Sequence, residues 1–162
     1  MTVFRGTFLD CPDDPFAGGA VRELDGALLV VDGVIAARGP FAEITRAHPG
    51  DGVIDLRSGV VIPGLVDTHV HYPQVRVIGG LGLPLLEWLD RRALPEERRL
   101  GDAAYARVIA HEFVGSLLRA GTTSALVFGA HFAAAMDEFF AVAAASGLRI
   151  ASGTNNGLPA RV

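Results

Sequence analysis

The sequence predicts an α/β protein: a small β domain followed by a parallel sheet with helices between its strands. Three observations carry this. The first sixty residues hold short β-branched runs separated by turn dipeptides. Beyond Gly59 the order becomes strand, helix, strand, helix, strand, which argues for parallel pairing through right-handed crossovers. Half of the 162 residues are hydrophobic and a fifth are charged, which suits a packed core and excludes an intrinsically disordered chain.

In the β domain, Val3–Leu9 is apolar and β-branched, a strand. Cys11–Gly19 is rich in Pro, Asp and Gly and reads as a loop. Ala27–Val31 and Val34–Ala37 flank Asp32–Gly33, a hairpin signal. Phe41–Ala47 fits one helical turn or two, and Asp51–Gly52 precedes a fourth short run, Val53–Leu56. The boundary falls near Gly59, which divides the chain into residues 1–60 and 61–162.

In the second part, Leu65–His71 reads as a buried strand. Leu83–Leu89 is a short amphipathic piece, helical after Pro84. Arg91–Arg99 reads as a solvated, mixed-charge connection interrupted by Pro95. Asp102 is a good N-cap for a helix over Ala103–Arg119, where Ala106, Ile109, Ala110, Phe113 and Leu117 form one apolar face. Gly121 sits at its stop. Thr122–Phe128 is a strand, Phe132–Ala145 a helix ended by Ser146–Gly147, and Leu148–Ala151 a third strand. Residues 153–159 have loop chemistry.

Charge and cysteine content narrow the function. A net charge of −4 gives no electrostatic footprint for nucleic acid or an anionic membrane. The longest unbroken apolar run, Phe139–Ala145, is seven residues, against about 20 for a membrane span. The start lacks the plan of a signal peptide. Cys11 stands alone, so no intrachain disulfide forms, and a cytoplasmic location is expected. There is no Gly-x-Ser-x-Gly elbow, and neither Gly79–Gly80 nor Gly129 makes a phosphate loop. The zinc deaminase plan of His-x-Glu with Pro-Cys-x-x-Cys is also absent.

The chemistry concentrates in Pro63–Gln74. Strand alternation puts Asp67, His69 and His71 on one face with Leu65, and Val66, Thr68 and Val70 on the other. Imidazoles at i and i+2 can approach one metal ion, with Zn–N distances of about 2.0–2.1 Å. Pro73 ends the strand, which leaves both histidines at its carboxyl end, where α/β barrels place active sites. Asp67 is a candidate to orient an imidazole. A bare His-x-His also suits a partly exposed pair satisfied by backbone groups. Of the other histidines, His48 reads as a loop residue and His111 as part of a helix face. His131 follows the second strand, on the side where a barrel would hold its site.

The longer pattern resembles the amidohydrolase superfamily, and within it the guanine deaminases. The residues that carry the resemblance are Pro63–Gly64 through His71–Tyr72–Pro73–Gln74, Leu85–Leu86–Glu87–Trp88–Leu89, and Gly121–Gly129. The resemblance implies a β-sandwich built partly from the N-terminal residues, and a (β/α)₈ TIM barrel of which this chain holds the first units. It implies one zinc ion per complete site, with His69 and His71 as two of its ligands. It implies a substrate-binding stretch of His71, Tyr72, Pro73 and Gln74, with Gln74 against the purine, and leaves Trp88 as a neighbour of the ligand or an anchor of the loop. It also implies a reaction in which water activated at zinc attacks the ring carbon bearing the exocyclic amine, a carboxylate shuttles protons, and guanine becomes xanthine with release of ammonia. The family's remaining histidines and its catalytic Glu and Asp have no counterpart here by motif, and Thr154–Asn155 stand where an Asp–Arg pair is usual.

The expected partners are therefore a small purine, a second copy in the complete enzyme, and other copies at the open sheet edge. A partial and inactive copy is expected on this reading. The alternatives are another amidohydrolase, such as a different aminohydrolase or a chlorohydrolase, and a non-catalytic product.

Overall fold

The computed structural model describes residues 1–154, and the expectations for 155–162, including the one at Asn155, lie outside them. The chain forms two compact units, Met1–Pro63 and a second that starts at Gly64.

The first unit is a four-stranded sheet in the order β3-β2-β1-β4, built from β1 (Thr2–Asp10), β2 (Val21–Val31), β3 (Val34–Pro40) and β4 (Gly52–Val61). β1 pairs antiparallel with β2 and parallel with β4. The hairpin at Asp32–Gly33 has φ of 50° and 79°, the double left-handed requirement of a type I′ turn. Helix α1 (Phe41–Ala47) buries Ile44 against Val3, Ala27 and Leu29. β2 begins six residues before the expected Ala27. Arg22 and Glu23 there are carried by ladder pairing with Leu9 and Phe8 of β1, not by apolar pattern. The described residues of this unit form one sheet layer.

The second unit has a three-stranded parallel sheet in the order β5-β6-β7, from β5 (Leu65–His71), β6 (Thr122–Phe128) and β7 (Arg149–Gly153). Helices α4 (Ala103–Arg119) and α5 (Ala133–Ser146) share its core. Asp102 caps α4 by accepting from the amides of Ala104 and Tyr105, and the five predicted face residues are all buried. Phe113, Phe139 and Val127 build the core between helices and sheet. Leu65, Val66, Leu126 and Phe128 stay exposed. No helix among the described residues is long and apolar enough to cross a membrane.

The connection from β5 to α4 corrects one expectation. Residues 85–99 are helical throughout: α2 (Leu85–Trp88), a π-helical turn (Leu89–Ala93) and α3 (Leu94–Arg99). Pro95 sits in the first turn of α3, where its missing N–H costs nothing, and the π turn resets the register before it. Glu96 and Glu97 are buried rather than solvated.

Gly64 enters β5 against Thr123, whose side chain a Cβ at residue 64 would overlap. Gly64→Ala is expected to lower stability by about 1–3 kcal/mol, the usual cost of overpacking. Urea denaturation checks it, with Gly59→Ala, which meets open space, as the neutral control.

Candidate metal and ligand site

The site forms where β5 ends. His69 and His71 turn their Nε2 atoms toward each other, 3.3 Å apart. Two ligands at 2.0–2.1 Å from one ion and a tetrahedral angle apart would be separated by about 3.3 Å. The donor set and its spacing therefore fit a shared zinc ion. Phe128, the last residue of β6, supports both rings: it stacks on His71 at 4.6 Å and 9°, and lies 4.7 Å from His69. Burial first, and then the neighbouring His69, hold the His71 imidazole below its ordinary 6.5, against an opposing pull from Glu97. A neutral ring is the form that can ligate. Among the described residues, no group of three His, Cys, Asp or Glu side chains is placed to hold a metal ion.

The strict alternation expected for β5 does not hold. Its register against β6 slips between Asp67 and Val70, so that Asp67 pairs with Ala125, Val70 with Val127 and His71 with Phe128. A bulge of this kind re-aims side chains. Asp67 accepts a hydrogen bond from the His69 backbone amide at 3.0 Å, so it braces the main chain and does not orient an imidazole.

The stretch after the strand divides. Tyr72 is fully buried, stacks on Phe139 at 4.6 Å, and donates its hydroxyl to the Ala106 carbonyl at 3.0 Å. Burial pushes that hydroxyl well above its ordinary pKa. Pro73 is buried as well. Neither presents surface to a ligand, because the 72–74 turn points its first two side chains into the core. Gln74 is half-buried, and its amide Nε2 donates to Glu97 Oε1 at 2.8 Å. His131 is 3.1 Å from the other oxygen of Glu97 through Nε2. Trp88 is half-buried, and a Cβ at Gly80 would lie 3.2 Å from its indole nitrogen, so it anchors the preceding loop. His111 is exposed on α4, and His48 closes α1.

Sequence reasoning missed Phe128 and Glu97. A signal for Glu97 existed: it lies four residues after Ala93 and three before Leu100, both fully buried, and so on the inner face of its helix.

Fold and site define a class, an α/β protein with paired imidazoles at the carboxyl end of a parallel strand. The chain belongs to the amidohydrolase family, whose description matches residues 60–155. Residues 26–50 match an imidazolonepropionase-like composite domain of bacteria. The chain is 59% identical to a probable guanine deaminase of Deinococcus radiodurans, a match that covers 94% of this chain and 36% of that protein. The structure of E. coli guanine deaminase superposes with a TM-score of 0.90 at 34% identity, covering 99% of this chain and 39% of that one. An adenosine deaminase from Xanthomonas campestris with bound zinc superposes with a TM-score of 0.65 at 27% identity, covering 92% of this chain and 32% of that one. The chain thus spans about a third of the length of the proteins it matches, and its second unit has the fold of the first part of their TIM barrel.

Proposed function

We propose that this chain supplies the first metal-binding strand and the first ligand contacts of a zinc-dependent aminohydrolase of the guanine deaminase type, acting on guanine in the cytoplasm in purine catabolism. The observation that carries the reading is the convergence of the His69 and His71 Nε2 atoms at 3.3 Å. Similarity to guanine deaminases supports the substrate. His69 and His71 would hold the ion, which would supply Lewis acidity and an activated water at neutral pH. Phe128 keeps both imidazoles from turning away. Gln74, three residues beyond His71, contacts the base through its side-chain amide. His71 lines the same pocket. Tyr72 and Pro73 hold that turn in place from the core side.

Two imidazoles fall short of the three protein ligands that catalytic zinc sites usually carry. The 162-residue chain by itself is therefore inactive on this reading. Purified chain with zinc is expected to release no ammonia from guanine, and measurable turnover would refute the inactivity. The deaminase assignment is tested by grafting residues 1–154 in place of the matching segment of E. coli guanine deaminase. The chimera should convert guanine to xanthine, and His69→Ala should abolish this. A folded, zinc-loaded chimera that leaves guanine untouched would contradict the assignment.

β5 and β7 are the outer strands of the three-stranded sheet, beside the exposed Leu65, Val66, Leu126 and Phe128. Open edges next to apolar surface template association. The chain alone is expected to sediment as species larger than a monomer at micromolar concentration, which analytical ultracentrifugation reads directly.

A further inference from the structure

Glu97 is a 6% exposed carboxylate that the chemistry outlined above does not use. A carboxylate in such a place is tolerated when its oxygens are bonded, and each Glu97 oxygen has one partner. Oε1 accepts from Gln74 Nε2 at 2.8 Å, and Oε2 lies 3.1 Å from His131 Nε2. The three residues come from three segments: the turn after β5, helix α3, and the turn after β6. The Gln74 amide turns its N–H₂ toward one carboxylate oxygen, and His131 meets the other with Nε2. With Nε2 engaged by Glu97, the carbonyl oxygen is the other end of the same planar amide. It has no partner among the described residues.

We propose that Glu97 is a positioning residue for the ligand site: it fixes the polarity of Gln74, so that Gln74 offers a hydrogen-bond acceptor to an N–H group of the bound base. The inference rests on the reading of Gln74 as a ligand contact. It implies that a ligand edge bearing a ring or exocyclic N–H is matched by the Gln74 carbonyl oxygen at this position. His131 secures the second oxygen of Glu97 and keeps the carboxylate from rotating off Gln74.

Side-chain NMR of the 162-residue chain tests this without any turnover. In the wild type, one Gln74 Hε2 proton should lie downfield of a free glutamine amide and exchange roughly 10–100-fold more slowly, as expected for a hydrogen bond to a charged group. His131 should show the Nε2–H tautomer. Glu97→Ala should return the Gln74 amide to free-glutamine positions and remove its protection, while the Tyr72 and Phe139 ring signals stay in place. Glu97→Gln keeps the shape and should retain the fold, but lets Gln74 face it either way, so the protection should fall to an intermediate value. Free-glutamine signals in the wild type would overturn the proposal even if the variants fail to fold, and so would protection unchanged in Glu97→Ala. In the chimera, Glu97→Ala should raise the KM for guanine roughly tenfold with a smaller change in kcat, and an unchanged KM would overturn the positioning role; a wild-type chimera without turnover would sink the deaminase reading and leave these amide signals where they are.

Discussion

Phe139→Ala is expected to destabilise the second unit by about 3–5 kcal/mol, the range for truncating a buried aromatic. Phe139 is fully buried and lies at the centre of an aromatic group. Its ring stacks on Tyr72 at 4.6 Å and meets Phe113 at 5.9 Å in an edge-on arrangement. Those contacts join α5 to α4 and to the turn that follows His71. Tyr72 is also tied to α4 through its hydroxyl on Ala106. Truncation leaves a cavity where three elements meet, and removes the ring that presses Tyr72 into place. Urea denaturation of the variant measures the loss. Phe140→Ala, on the exposed side of the same helix, is the control and should change stability by no more than about 0.5 kcal/mol. Equal effects at both positions would mean that the core is not organised around Phe139.

The second large effect is on metal affinity. His71→Ala should weaken zinc binding by more than the roughly 10–100-fold lost when a supporting partner of a ligand is removed, because it deletes one of two donors. His69→Ala should do the same. Phe128→Ala removes a support and no donor, and should fall within that 10–100-fold range. Competition with a chromogenic chelator ranks the three. An order in which Phe128→Ala costs more than His71→Ala would contradict the assignment of the donors.

Much of the second unit is legible in the amino-acid sequence. The apolar face of α4 stands out because its period is helical and uninterrupted over Ala106–Leu117. β5 and β6 stand out because β-branched residues dominate and Pro or Gly marks their ends. The His-x-His pair is legible because its spacing puts two imidazoles within reach of one ion. The rest depends on tertiary pairing. Arg22 and Glu23 disguise the first half of β2, and only the ladder to β1 makes them a strand. The helix through Pro95 is hidden by a rule about proline that a π turn circumvents. Ideal alternation places Asp67 with the histidines, and a one-residue slip in the β5–β6 register removes it from them. Tyr72 and Pro73 lie beside the histidines in sequence, which suggests a shared role. The turn after the strand instead sends both into the core. Glu97 reads as solvated because it lies in a run of charges. It becomes a partner of Gln74 only once α3 is folded against the strand ends.

X-ray absorption at the zinc edge, on the chain loaded with one equivalent of zinc, tests the central assignment most directly. The account predicts two imidazole nitrogens at about 2.0–2.1 Å from the ion, and loss of one of the two in each of His69→Ala and His71→Ala. An unchanged imidazole shell in the double variant would show that the ion sits elsewhere, and that the paired histidines are not its ligands.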